Sequence, residues 1–416
     1  MMDIGVFRVN PDLVKENIQK KYQEWKLPLV EEIIDLDAKN RAVIAEASDL
    51  RTQKSRFHMT IGKLYSKLKN ASDEEKEALQ TEIAGKMAAA KSNDKRLAEL
   101  EKQEEAYTDE INKRMRMIPN IMDPSVPPGT DDSCNQEVKR LGNPVVPDYE
   151  IPFYTEIMER ADGIDRDAAA RVSGYGSYYL AGETALLYSA MMEDVRNHLI
   201  KSGFVYTITP TAYQKEYLDT LLTPEQIQSQ REPDETLILR YMDQIRTEDE
   251  FPKQQFCFHH RWIKDIAYHG VLQAEQLEVT VLCLPEDDRD WMMNLGELSL
   301  QIAGRLGIPA RLVECCSGML DDRATKTYIV EAWSPFARKY YQVGKCSDFG
   351  DELTRRLHIR VNGENGIAVP RSVSSTMLFS ERHLMRAFLE NNLQKDGTLR
   401  YPQTIRKYIE DAVSPF

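Results

Sequence analysis

The sequence predicts an α+β protein: a long antiparallel pair of helices first, then an antiparallel β-sheet domain flanked by helices. Three observations predict it. Between Leu29 and Ile118 apolar residues recur at spacings of four and three, the seam of a coiled coil. From Pro119 to Pro152 the chain is dense in Pro, Gly, Asp and Asn, as a connector is. Beyond it, helix-period segments alternate with β-branched and aromatic runs punctuated by Gly and Pro. These boundaries give an arm over 1–118, a connector over 119–152 and a globular domain over 153–416.

Residues 3–24 read as a short amphipathic helical region, with Asn10-Pro11-Asp12 marking its start. In the arm, Leu29, Ile33, Leu36, Val43, Ala47, Leu50, Phe57, Ile61, Leu64 and Leu68 fit one heptad frame, interrupted at Asn40 and Lys54. Leu79, Ile83, Ala90, Leu97, Leu100, Tyr107, Ile111 and Ile118 fit a second. The break at 70–75 is a tight turn, and Ser72 with Glu75 forms a capping box for the second helix. Two helices joined so tightly must fold back on each other. About 40 residues at 1.5 Å each make an arm of roughly 60 Å. That is too long to bury in its own domain, so it reaches toward another molecule.

The chain carries a net charge of −13, yet residues 41–70 hold seven Lys/Arg and only two acids. A basic strip on a projecting arm suits a phosphate backbone. A solvated, Lys-rich coiled-coil face fits the same composition equally well. The overall acidity argues against general nucleic-acid coating and leaves room for a local site. An apolar content of 42% is ample for a core. The six cysteines (Cys134, Cys257, Cys283, Cys315, Cys316 and Cys346) show no CxxC spacing. They read as reduced thiols of a cytoplasmic protein, with no metal site expected. No apolar run is long enough to span a membrane, and the N-terminal stretch lacks an apolar signal core.

In the globular part, Thr184–Ser202 is an amphipathic helix ended by Gly203, and residues 204–208 form a strand stopped by Pro210. Residues 255–262 and 271–283 are two strands joined by a turn at 264–269. Asp287–Leu306 is a helix and 310–316 a strand. Ser380 is the expected N-cap of a last helix running to Leu393.

Several stretches carry a family likeness. The opening FRVNPDLVKENI, the connector IPNIMDPSVPPGT, the segment EAWSPFARKYYQVGKCSDFGDELTRR and the tail AFLENNLQKDGTLRYP resemble seryl-tRNA synthetases. The likeness spans nearly the whole chain. It implies a coiled-coil arm that meets tRNA, followed by a class II catalytic domain. The unit Thr184–Pro210 resembles class II motif 1, which implies a homodimer. It also implies that Arg51, Lys54, Arg56, Lys63 and Lys67 meet RNA, through phosphates rather than bases. ATP and Mg²⁺ are the cofactors it implies.

The likeness breaks at the positions that would handle ATP and serine. After Cys257-Phe258 the family has an Arg; here stands His259. Two residues on, a Glu is replaced by Arg261. Glu278 matches an acid of the second strand. The Glu before the Cys346 turn is Gln342, and the Ser before Cys346 is Lys345. Counting back from Phe388–Asn391 puts His383 at the motif 3 Arg, while a shift by one residue would use Arg382. One residue turns a helix by about 100°, so the two registers differ. Between Leu237 and Phe251 there is no Thr-x-Glu to hold the serine ammonium group, so that carboxylate is expected to be absent. Ser375-Thr376-Met377 stands where the family's Asn-Gly-Ser serine floor would be.

These departures favour a catalytically degenerate paralogue that keeps a dimeric frame and binds tRNA or a protein partner. Two alternatives remain at this stage. One is an active serine–tRNA ligase with divergent motifs. The other is a class II ligase for another acid, using His259, His260, Arg261, Lys345 and Arg382 as an anion pocket.

Overall fold

The computed structural model describes residues 1–228, 232–265, 270–364 and 366–413. Its contacts divide the chain into two compact units: 3–18 with 23–118, and 1–2 with 19–22 and 119–416.

The first unit holds α1 (Ile4–Val9), most of α2 (Pro11–Lys20), α3 (Leu27–Leu68) and α4 (Asp73–Met115). The single helical region expected over 3–24 is two helices. Asn10 separates them, its side chain accepting from the Leu13 amide at 3.2 Å to cap α2. The heptad residues of both frames are buried or half-buried, and so are the two interruptions, Asn40 and Lys54. Asn40 reaches Thr108 across the seam at 3.4 Å, and Lys54 pairs with Asp94 at 2.9 Å. The Ser72–Glu75 capping box is present, and the Ser72 amide donates to the Glu75 carboxylate at 3.1 Å.

The second unit is built on an eight-stranded sheet. In chain order it holds β1 (Gln136–Leu141), α5 (Tyr154–Arg160), β2 (Ile164–Asp165), α6 (Arg166–Ser173), β3 (Tyr179–Leu180), α7 (Gly182–Lys201), β4 (Val205–Tyr206), α8 (Lys215–Leu221), α9 (Pro224–Gln228) and β5 (Ile245–Thr247). It continues with β6 (Lys253–Asp265), β7 (Gly270–Cys283), α10 (Asp288–Arg305), β8 (Ala310–Glu314), β9 (Lys326–Ser334), β10 (Lys339–Gly350) and α11 (Glu352–Arg356). Last come β11 (Arg360–Gly363), β12 (Gly366–Ala368), β13 (Arg371–Phe379), α12 (Leu384–Asn392) and α13 (Gln403–Val413). The order across the main sheet is β1-β8-β9-β10-β13-β7-β6-β4. Every pairing is antiparallel except β4 on β6.

Strand alternation splits this sheet into an apolar and a polar face. Leu277, Val279 and Val281 of β7, Val373 and Met377 of β13, and Cys346 of β10 share one core with Leu295 and Ile302 of α10. Each such buried aliphatic contributes about 1.5–3 kcal/mol before chain entropy is set against it. Gly296 lets α10 lie close: a Cβ there would fall 2.8 Å from Leu312 Cδ1.

The connector carries a strand, since Gln136–Leu141 pairs with β8 as an edge strand. Two expectations need correction. The helix expected after Ser380 begins at Leu384, and it is not the last, because α13 follows it. The Ser380 hydroxyl instead bonds the His383 ring at 2.7 Å. The apolar side of α7 (Leu187, Met191, Val195, Leu199) is buried in its own domain, so it offers no exposed patch for a second subunit. On α7 itself Ile200 is exposed, and just after the helix come Val205 at 59%, Tyr206 at 37% and Ile208 at 84% exposure.

Candidate functional site

The polar face of the sheet carries most of the positions singled out by sequence. Cys257, His259 and Arg261 alternate along β6, and Gln276, Glu278 and Thr280 along β7. Cys257 pairs with Glu278, Glu278 with Thr376, and Thr376 with Lys345. These four residues form one row across four strands.

A loop, residues 232–237, lies on this face and is latched to it. The Arg261 guanidinium donates to the Pro233 carbonyl at 2.6 Å, to the Glu232 carbonyl at 3.1 Å and to the Asp234 carboxylate at 3.2 Å. The Gln276 amide donates to the Asp234 carbonyl at 3.1 Å. Glu278 accepts from the Thr236 amide at 2.9 Å and the Leu237 amide at 3.0 Å. Both Arg261 and Glu278 therefore help hold the loop. Charge-assisted bonds of this kind, made out of water, are the strong ones.

The loop brings carboxylates that the sequence reading missed. Lys345 Nζ lies 2.8 Å from Asp234 Oδ2 and 3.8 Å from Glu235 Oε1. Arg323 reaches Glu235 at 3.1 Å and Asp321 at 3.0 Å. The expected absence of a carboxylate is thus corrected: Asp234 and Glu235 lie just upstream of Leu237, where the search for Thr-x-Glu began. The signal was Pro233-Asp234-Glu235-Thr236, which keeps a Glu two positions after a different residue. Burial pushes the Glu235 carboxyl up, opposed by Arg323 and Lys345. Burial works against the Lys345 charge as well, but Asp234 and Glu235 outweigh it and raise its pKa. Lys345 is a fixed ammonium held by two carboxylates.

His259 sits at the mouth of a cleft of about 790 Å³ lined also by Arg196, Thr209, Thr236, Phe258, His260, Arg261 and Glu275. Its Nε2 is 2.7 Å from Glu278 Oε2, 2.9 Å from Cys257 Sγ and 3.0 Å from Thr236 Oγ1. His260 is 93% exposed and pairs with Glu275 at 2.8 Å. Arg196 is paired with Glu193.

The remaining positions do not converge on that cleft. Gln342 is exposed beside a bulge and donates to the Gly344 carbonyl at 3.4 Å. Arg382 pairs with Glu381 at 3.1 Å. His383 caps no helix with its side chain, and burial pushes its pKa down to about 4, helped by Arg382 and Arg386. It is a neutral imidazole at pH 7. Neither residue is among those that line the cleft.

On the arm, the basic strip divides. Arg51 pairs with Glu101 at 3.1 Å and Lys54 with Asp94 at 2.9 Å, both across the coiled coil. Arg56, Lys63 and Lys67 are exposed, and among the described residues no ion pair engages them.

Comparison with known proteins accords with this architecture. Residues 1–122 match the seryl-tRNA synthetase N-terminal domain, and 232–392 the class II tRNA synthetase core domain shared by the G, H, P, S and T enzymes. A serine–tRNA ligase of Methanospirillum hungatei is 30% identical, with 99% of each chain covered. The serine–tRNA ligase of Dictyoglomus turgidum is 29% identical over 98% of each chain. Among solved structures, seryl-tRNA synthetase from Pyrococcus horikoshii complexed with ATP superposes with a TM-score of 0.85 at 26% identity, covering 98% of each chain. With a single-chain likeness running from end to end, and with the arm and sheet both in place, this chain belongs to the seryl-tRNA synthetase family.

Proposed function

We propose that this chain is a degenerate seryl-tRNA synthetase: a dimeric frame with an RNA-binding arm that does not activate serine. One observation carries the reading. The Lys345 ammonium is held 2.8 Å from Asp234 and 3.8 Å from Glu235, so the carboxylates that could take a substrate ammonium already hold one from the protein.

The residues present do not fit ATP. Activating a carboxylate needs fixed positive charge where the phosphate and the attacking oxygen meet. His259 supplies an imidazole there, which cannot replace a guanidinium fork. Arg261 is turned onto the backbone of 232–234, Arg196 is paired, and His383 is neutral. No Mg²⁺ role is assigned, since Gln342 carries no charge. The reading as a ligase for another acid loses support too, because Lys345 and Arg382 do not line the cleft with His259, His260 and Arg261.

The active-ligase reading draws on the end-to-end likeness to the Methanospirillum enzyme and on the presence of Glu235. Against it stands the charge already paired with Glu235. The arm is assigned to tRNA through Arg56, Lys63 and Lys67, with Arg51 and Lys54 serving the coiled coil as well. The subunit contact is assigned to the exposed edge Val205–Ile208. No described helix is long and apolar enough to cross a membrane.

Calorimetric titration of the intact protein with a non-hydrolysable seryl-adenylate analogue tests the proposal. The expected result is no saturable binding. Saturable, stoichiometric binding would show that Lys345 yields its place and would overturn the reading.

A further inference from the structure

Three metal-binding atoms converge on one point of the polar face. Cys257 Sγ, His259 Nε2 and a Glu278 carboxylate oxygen all lie within 4.8 Å of one another. They come from neighbouring strands: Cys257 faces Glu278 directly across β6 and β7, and His259 follows two residues along the same face. We infer that Cys257, His259 and Glu278 form a site for a divalent transition metal of the zinc class, with its fourth position open to the cleft.

The geometry separates a chelate from the other things such a trio can be. In a nucleophilic relay the acid holds one imidazole nitrogen and the thiol the other. Here both approach the same atom: Nε2 is 2.9 Å from Cys257 Sγ and 2.7 Å from Glu278 Oε2. Nδ1 points away, 3.5 Å from the Thr209 hydroxyl. A polar contact on that outer nitrogen is the kind that orients a metal-bound histidine. Burial, with Glu278 beside it, also pushes the Cys257 thiol well up, so it is a poor nucleophile unless a cation draws off its proton.

The site has room for an ion. Zinc bonded to sulfur at about 2.3 Å and to nitrogen and oxygen at about 2.0 Å would set S···N near 3.6 Å and N···O near 3.3 Å. Opening the trio from 2.9 and 2.7 Å to those spacings lengthens each distance by roughly 0.6–0.7 Å. His259 can make that shift, because its ring borders the cleft, while Cys257 and Glu278 stay fixed in the sheet. Glu278 keeps one lone pair for the Thr236 amide, 2.9 Å away, and turns the other to the ion. The Thr236 hydroxyl, 3.0 Å from Nε2 and 3.2 Å from Glu278 Oε2, borders the fourth position, which water or an anionic ligand from the cleft would take once that hydroxyl turns aside. The ion would restore a cation beside the position where His259 replaces an arginine. No short-range spacing reveals the trio, since Glu278 is 21 residues from Cys257. The inference does not depend on whether serine is activated.

Cobalt(II) titration of the intact, metal-stripped protein tests it. The expected result is one ion bound per chain, with thiolate-to-cobalt charge-transfer absorption and an affinity that rises with pH as the thiol proton is released. Cys257→Ser should abolish that absorption, and His259→Gln should weaken binding at least tenfold. Cys134→Ser, which alters a half-buried thiol elsewhere, should leave both unchanged. Glu278→Gln is avoided because Glu278 also latches the loop. Absence of the charge-transfer band in the wild-type protein, or its survival in Cys257→Ser, would overturn the assignment without any variant needing to fold perfectly.

Discussion

The proposed reading of the site turns on Lys345. A lysine in a β-strand interior is ordinarily a poor choice, since burying its charge is expensive unless it is paired. Here Asp234 and Glu235 pair it, and Arg323 and Asp321 extend the network. Lys345→Met should therefore destabilise the fold by on the order of 3 kcal/mol, because it leaves buried carboxylates short of a cation. Chemical denaturation at pH 7 checks this, and a change below 0.5 kcal/mol, about the size of a surface substitution, would contradict it. His383 gives a pH prediction of definite sign. Its pKa falls from an ordinary 6.5 to about 4 in the fold, so the unfolded chain binds the extra proton first. Its contribution is intact above pH 6.5 and is lost as pH falls toward 4, by up to about 3 kcal/mol. Asp348 opposes it, since burial raises its carboxyl to about 6 and favours the fold on the acid side. Comparing wild type with His383→Gln isolates the histidine: the variant should lose less stability between pH 6.5 and 4.5.

At the scale of elements, the heptads were legible because a coiled coil writes its contacts at fixed short spacings. Even the two interruptions proved informative, since Asn40 and Lys54 lie in the seam and bond across it. The loop 232–237 was not legible in the same way. Its partners, Arg261, Gln276 and Glu278, are set by strand register and by a fold-back over the sheet, which local pattern does not encode. Reading Arg261 and His259 only as departures is incomplete for structure, because one clasps the loop and the other meets Glu278. The partner of the apolar side of α7 was equally illegible, since amphipathicity says that a face is buried but not against what. The arm yields a prediction of its own. Replacing Arg56, Lys63 and Lys67 with Glu should abolish tRNA binding while leaving the helices folded by circular dichroism, and wild-type affinity should drop steeply with salt. Salt-insensitive binding, or unchanged binding by the triple variant, would favour a merely solvated face. Leu100→Ala, which empties a fully buried seam position, should instead lower the arm's stability by about 2–4 kcal/mol.

For the whole molecule, the exposed edge of the main sheet must be accounted for. β4 ends that sheet with Val205 at 59% and, just beyond it, Ile208 at 84% exposure, and an apolar sheet edge left in water invites pairing. Ile208→Asp together with Val205→Lys should convert a dimer to monomer in sedimentation at micromolar concentration. A wild-type monomer would remove the contact from the account. Beyond assembly, the proposal holds that the frame and the chemistry have parted. The strands, the arm and the end-to-end likeness to serine–tRNA ligases persist, while the charges that would bind a triphosphate are replaced or turned inward. The most direct test is serine-dependent pyrophosphate exchange with ATP by the unmodified protein. Loss of one preorganised electrostatic group typically costs about a hundredfold or more in rate. The account predicts no exchange above background, and none after the single change His259→Arg, because Lys345 still holds Asp234 and Glu235. Clear serine-dependent exchange by the wild-type chain would contradict it.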